Sequence, residues 1–342
     1  MSVLITLIVI AVLVLAHEWG HFMAARKIGI PVYEFSLGFG YKVWSTVKNG
    51  VQYSLRIVPI GGFVRMAGEE PEDQDNPGGF AKRTPLEKSI VSLAGPFMNF
   101  FLAFLIFIVC YAVIGIPEST NQPVIGKVMA GKPAAQAGLQ AGDRIISING
   151  EQLTTWEDID RFTGAEQPQS LQFQVERQGK QLSFSITPDK LDLSGKMGIG
   201  VINSFVNHRF GILESLKIGL QQTYQWTILL LSSLGIILKG GATMSDLAGP
   251  VGITRMVGEF AQIGLVSLLN FAAFLSINLG IMNLLPIPAL DGSKIVFAVV
   301  ETVRRKPMDP DREGFLNWLG FLFLMLVMVV ITYNDIVKLF KG

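Results

Sequence analysis

Long uncharged runs separated by polar stretches dominate the chain. Met1–Ala16 carries no charged residue at all. A helix needs about 20 predominantly apolar residues to cross a bilayer. Four segments meet that length once flanking residues are counted: Val3–Ala25, Ile90–Ile114, Gly264–Leu285 and Leu316–Ile331. The third carries Asn270, Asn278 and Asn283 inside it. The run Trp226–Leu238 is shorter and reads equally as an interfacial helix, a re-entrant helix or a crossing. Between the first two spans, Val43–Val47 and Val51–Ile57 flank Lys48-Asn49-Gly50, and the second arm alternates apolar and polar residues. Asn-Gly satisfies the positive φ angles of a tight hairpin turn, so a β-hairpin is expected over about 34–66. Residues 120–204 form a polar stretch with short alternating segments, an inserted soluble domain.

Composition agrees. Half the 342 residues are hydrophobic and 16% are charged, against about a quarter charged in a soluble domain. The net charge of +1 gives a nucleic-acid partner no electrostatic support. Cys110 is the one cysteine, which excludes an internal disulfide framework and a Cys-rich zinc site. The first apolar run lacks the basic start and small-residue cleavage site of a signal peptide. Basic residues collect in two loops: Arg26, Lys27, Lys42, Lys48, Arg56, Arg65, Lys82, Arg83 and Lys88 between the first two spans, and Lys294, Arg304, Arg305, Lys306 and Arg312 between the last two. Both loops are therefore expected on the cytoplasmic side and the inserted domain outside.

The chemistry lies at the end of the first span, in His17-Glu18-Trp19-Gly20-His21. On a helix, histidines four residues apart share one face and can bind one zinc ion, with Glu18 placed to take a proton from a water that zinc activates. Ionisable residues in a membrane span point to function by default, although a polar pair packed between helices is the bland alternative. A catalytic zinc needs a third protein ligand. His208 follows the inserted domain and falls on the wrong face. Asp291 is the sole acid of Asn283-Leu284-Leu285-Pro286-Ile287-Pro288-Ala289-Leu290-Asp291-Gly292, where two prolines break any helix. It is the better candidate, against a plain loop acid or helix cap.

Two resemblances sharpen this reading. Lys132–Leu139, Gly142–Gly150, Leu171–Val175 and Gly198–Val201 resemble a PDZ domain, with the groove-framing strand last, as in the circularly permuted bacterial form. The two metal motifs, with Ala94-Gly95-Pro96-Phe97-Met98-Asn99, resemble the site-2 protease family of intramembrane zinc metalloproteases, in its bacterial regulator-of-sigma-E branch. The chain departs from the best-known form in having one PDZ unit. The resemblance implies Zn2+ bound by His17, His21 and Asp291, Glu18 as general base, and substrate positioning by Asn283, Pro288 and Asn99. Asn99 has the alternative of bonding a neighbouring helix. The hairpin would be a re-entrant β element that supports an unwound substrate strand. The expected architecture is an α-helical polytopic membrane protein of about four transmembrane helices, with the re-entrant hairpin and an inserted α+β PDZ domain. Its sections are 1–115 with the first two spans, 120–204 as the PDZ unit, 205–260 as an amphipathic or interfacial helical region, and 261–342 with the last two spans. The implied setting is the bacterial inner membrane. Implied substrates are single-span proteins such as anti-sigma factors or remnant signal peptides, cut after an upstream site-1 protease. A catalytically inactive membrane-tethered PDZ adaptor and a transporter are the competing classes. The intact His-Glu-His-Asp set disfavours the first, and the lack of an inverted repeat the second.

Overall fold

A computed structural model describes residues 1–73, 75–163, 169–190, 197–241, 248–306 and 308–341. In chain order the elements are α1 (Ser2–Ile28), β1 (Val32–Lys48), β2 (Val51–Met66), α2 (Pro85–Ile108), β3 (Ile116–Ser119), β4 (Ile125–Val128), α3 (Pro133–Ala137), β5 (Arg144–Ile148), β6 (Glu151–Gln152), α4 (Trp156–Thr163), β7 (Leu171–Arg177), β8 (Lys180–Ile186), β9 (Asp189–Lys190), β10 (Met197–Gly198), β11 (Val201–Asn203), β12 (Phe205–His208), α5 (Ile212–Leu238), α6 (Pro250–Ile263), α7 (Leu265–Asn283), α8 (Asp291–Arg304) and α9 (Pro310–Lys341). They form two compact units, Met1–Val113 with Gly211–Gly342, and Ile114–Phe210.

In the larger unit, Ser2–Ile28, Pro85–Ile114, Leu265–Asn283 and Asp311–Lys338 are long and apolar enough to cross a membrane. They correspond to the four expected spans. The second starts before its apolar run because Thr84 and Glu87 form a reciprocal capping box with Pro85 in the first turn. α1 stops at Gly29, whose positive φ lets its N–H reach the carbonyls of Ala25 and Arg26. The short apolar run at Trp226 belongs to a longer helix, α5, which begins at Ile212. α2 is the hub, packing on α1, α5, α7 and α8. Its inward face joins Ala103 and Phe107 to Ala273, Ile277 and Ile281 of α7, and Leu13 of α1 joins Val257 of α6 and Phe271 of α7. Outward positions such as Leu4, Ile8, Phe97, Phe321 and Leu326 stay exposed and apolar, as lipid-facing surface requires.

The hairpin is more folded than its turn signal suggests. The tip, Lys42–Lys48, pairs with Val51–Arg56, while Glu34–Leu37 pairs with Gln52–Leu55 and also with Gly62–Arg65. Two long bent strands thus make four ranks lying side by side. Gly61, at φ +102°, permits a bend that leads into the last rank, and a Cβ there would lie 2.2 Å from the ring of Phe39. A buried polar knot ties the ranks. Glu34 accepts from Ser54 Oγ at 2.5 Å and Arg56 at 2.8 Å, and Arg56 also donates to Ser36 Oγ and the Gly40 carbonyl. The rank Gly62–Met66 has no strand on its outer side among the described residues.

The smaller unit has the order β6-β5-β7-β8 in one sheet, with β11 on β4 and β12 on β3. Ile125, Ile145, Ile148, Phe173, Val175, Ile186 and Ile199 form its core. Its β11–β4 pair places the last strands beside the first, the order expected of a permuted PDZ-like unit. Asp143, fully buried, accepts from Arg177 Nε at 2.6 Å and Nη2 at 2.7 Å and from the Gln140 N–H.

Candidate active site

His17 and His21 stand one turn apart on α1, both buried. Their Nε2 atoms are 3.1 Å apart. Asp291, the first residue of α8, brings Oδ2 to 3.1 Å from His17 Nε2 and 3.3 Å from His21 Nε2. Three donors around a tetrahedral ion at about 2.0–2.1 Å would be about 3.3 Å from one another. The observed triangle has that size. His21 Nδ1 faces the Val91 carbonyl at 2.8 Å. A carbonyl only accepts, so Nδ1 carries the proton and Nε2 presents its lone pair to the cluster. Burial alone would raise the Asp291 carboxyl. When the imidazoles carry protons on Nε2, their hydrogen bonds and the charge of His21, with Lys294 nearby, outweigh it and hold Asp291 well below the usual carboxylate range. In the lone-pair tautomer a bound cation would take over that role. Two imidazoles and one ionised carboxylate with an adjacent cavity are the donor set of a catalytic zinc site, and these residues fit the metal.

The cavity, about 240 Å3, is lined by His17, Glu18, His21 and Asp291, by Asn283 at the end of α7, and by Phe63, Val64 and Met66 of β2. Glu18 therefore shares the chamber with all three donors. Gly62 lies against it, since a Cβ there would come 3.2 Å from Glu18 Cγ.

Local sequence explains how distant segments meet. Ala94-Gly95-Pro96 forms the floor. A Cβ on Gly20 would stand 2.1 Å from the Ala94 carbonyl oxygen, and one on Gly95 would stand 2.3 Å from His21 Nε2. Only small residues let α1 and α2 approach this closely. Asn99 is fully buried one turn further along α2. Its amide group lies 3.1 Å from His17 Nδ1, and its Oδ1 has no partner in the orientation described. Rotating the amide satisfies both groups: His17 Nδ1–H donates to Oδ1, which leaves Nε2 free to ligate. The prolines unwind the segment before Asp291. Pro288 packs against Gly320 of α9, and the Ala289 N–H donates to Asn317 Oδ1 at 3.1 Å. Pro288 is thus placed as a support of the loop, and Asn283 as a wall of the cavity.

Lys294 and Glu69, which sequence reasoning missed, also line the chamber. Lys294, one turn after Asp291, pairs with Glu69 beyond the end of β2 and stands 5.6 Å from the centre of the Phe80 ring. Lys88 of α2 pairs with Glu301 at 2.7 Å and fixes the same helix, α8. A cation three residues after the acid of a Leu-Asp-Gly motif was the available signal. His208 lies on β12 of the smaller unit, opposite Ile116.

The model of peptidase family M50 matches residues 5–327. The chain belongs to that family. Similar proteins include a zinc metalloprotease RasP of Geobacillus kaustophilus, 35% identical over 99% of this chain and 98% of its own. The regulator of sigma-W protease RasP of Bacillus subtilis is 34% identical over 99% of each. The first alignment runs to 417 positions, so it opens gaps in this M50 chain of 342 residues. A PDZ domain of an SdrC-like protein from Listeria monocytogenes matches 26% of the chain and 93% of its own at 20% identity, with a TM-score of 0.23. The M50 match takes in the cavity-lining residues of α1, α2, α7 and α8, and it makes this chain a metallopeptidase of multi-pass membrane architecture.

Proposed function

We propose that this M50 peptidase is an intramembrane zinc endopeptidase that cuts within the membrane segment of single-span proteins. The convergence of His17, His21 and Asp291 on one buried triangle, beside Glu18 and on a helix apolar enough to span a bilayer, carries the reading. Zinc held by these three residues would supply Lewis-acid polarisation of water and of the scissile carbonyl. Glu18 accepts the proton of the attacking water and returns it to the leaving amine. His21 is held by the Val91 carbonyl and His17 by Asn99, so the ligand rings keep their orientation as the cavity fills.

A helical substrate hides its carbonyls in its own hydrogen bonds and must unwind to be cut. The outer edge of Gly62–Met66 borders the cavity through Phe63, Val64 and Met66 and offers backbone partners to an extended segment. Asn283, on the cavity wall, would hold that segment's backbone. The basic loops support a site toward the cytoplasmic end and a PDZ-like unit outside the inner membrane, where it would exclude bulky ectodomains. Substrates would then be anti-sigma factors or remnant signal peptides already shortened by a site-1 protease. The sigma-W name of the Bacillus subtilis relative supports the first class.

The test is cleavage of a single-span model substrate by the purified full chain in lipid. Zinc removal should abolish cleavage and its return restore it. Glu18→Gln should keep its zinc and lose at least about a hundredfold in rate. Cleavage that persists in Glu18→Gln, or without zinc, would overturn the mechanism. In cells, Glu18→Gln with unchanged function would favour the inactive adaptor.

A further inference from the structure

On the other side of α1 lies a second, larger cavity that plays no part in the chemistry above. It is an open groove of about 1030 Å3 between α1, α2 and the hairpin tip. Trp19, Met23, Phe97 and Met98 give it an apolar wall, and Arg26, Lys27 and Lys48 also line it. At 100° per residue, Trp19, Met23, Arg26 and Lys27 point away from the His17, Glu18 and His21 face of α1.

The charges in this groove are one-sided. Among the described residues, no aspartate or glutamate lines it. Other cations of the same loop have carboxylate partners: Lys42 and Arg56 share Glu34, Lys82 has Asp75 and Lys88 has Glu301. Among the described residues, no carboxylate pairs with Arg26, Lys27 or Lys48. Arg26 lies over the face of the Phe22 ring, 5.7 Å from its centre. The apolar wall is equally unpartnered, since Trp19, Met23, Phe97 and Trp44 are all exposed. Because α1 and α2 run antiparallel, Phe97 and Met98 lie beside the Trp19 level of α1, while Arg26 and Lys27 stand two turns further toward the helix end. The groove is thus apolar at depth and basic at its mouth.

We propose that this groove binds one anionic phospholipid, with the head-group phosphate held by Arg26, Lys27 and Lys48 and an acyl chain laid along Trp19, Met23, Phe97 and Met98. Basic pockets beside membrane helices on the cytoplasmic side select anionic head groups in this way. A zwitterionic lipid would bring its own cation against three others. The bound lipid bridges the end of the motif-bearing helix and the hairpin tip, two parts that the chain joins only through the turn at Gly29–Pro31 and the length of β1.

Native mass spectrometry of the full chain in mild detergent, with added phosphatidylglycerol or phosphatidylcholine, tests this without reference to proteolysis. The chain should retain one phosphatidylglycerol and no phosphatidylcholine. Retention should fall about fivefold for Lys48→Gln and about a hundredfold for Arg26→Gln, Lys27→Gln and Lys48→Gln together. Lys48 sits at an exposed hairpin tip, so its single variant guards against misfolding of the triple one. Glu18→Gln should retain phosphatidylglycerol like the parent chain, which separates this proposal from the catalytic one. Equal retention of both lipids, full retention by the variants, or one-for-one displacement of phosphatidylglycerol by a substrate helix would overturn it.

Discussion

The narrowest constraint in the site is the place of one missing methyl group. A Cβ at Gly95 would meet His21 Nε2 at 2.3 Å and His17 Cε1 at 2.9 Å, so α2 forms the wall against which both rings rest. In Gly95→Ala the backbone of α2 is the stiffer party and the imidazoles must move. Overpacking of this kind costs about 1–3 kcal/mol, but the larger effect falls on the donor triangle. The purified variant should hold well under one zinc per chain by elemental analysis while keeping its helical content. A Gly95→Ala chain with full zinc and full activity would show that the floor does not position the rings. The histidine spacing and the Leu-Asp-Gly acid were legible in the sequence because ligand chemistry restricts residue type and helical geometry restricts spacing. Gly95 was legible only as part of a motif, because close approach between helices leaves no mark on either helix by itself. The pair of Glu69 and Lys294 was not legible, since two charges 225 positions apart give no local signal.

At the scale of elements, the helices followed from apolar length and the hairpin from Asn49-Gly50, but the doubling of the hairpin into four ranks did not. Alternation fixes which face is buried and says nothing of which rank lies beside which. The polar knot decides that. Glu34 is buried, and its partners come from two other ranks: Ser54 and Arg56 from one, Lys42 from the tip. Burial alone would raise the Glu34 pKa, yet the hydrogen bonds from Ser54 and Arg56 outweigh it and leave the carboxyl lowered and ionised. Glu34→Ala would strand Arg56 among ranks it no longer bridges. Removing one partner of a buried pair costs about 3 kcal/mol or more. Hydrogen exchange should therefore speed up across residues 32–66 and stay unchanged across 114–210. Uniform acceleration in both regions, or none in the hairpin, would show that the knot does not hold the ranks together.

At the scale of the molecule, the residues that meet at the cavity come from positions 17–21, 62–80, 91–99 and 283–294, with a separately packed unit inserted between the third and fourth groups. That unit has its own core, and its chain enters on β3 and leaves on the adjacent antiparallel β12. Residues 114–210 should therefore fold when expressed alone. Among its described residues the deeply buried charge is Asp143, which burial pushes up but the bidentate Arg177 pulls further down, so its folded-state pKa lies below the ordinary aspartate value. A depressed carboxyl stabilises the fold at every pH above its unfolded value, about 3.9. That contribution is lost as pH falls toward the folded value, because the unfolded chain takes up the proton first. Arg177→Met removes the partner and leaves burial in command, so the Asp143 pKa rises above the ordinary value. Its carboxylate then destabilises the unit at neutral pH and ceases to do so once protonated. Denaturant melts of the isolated unit should show the widest gap between parent and Arg177→Met near pH 7, closing as the pH drops below about 4. A gap of constant size from pH 7 to pH 3 would mean that Arg177 acts by packing alone, with no electrostatic hold on Asp143.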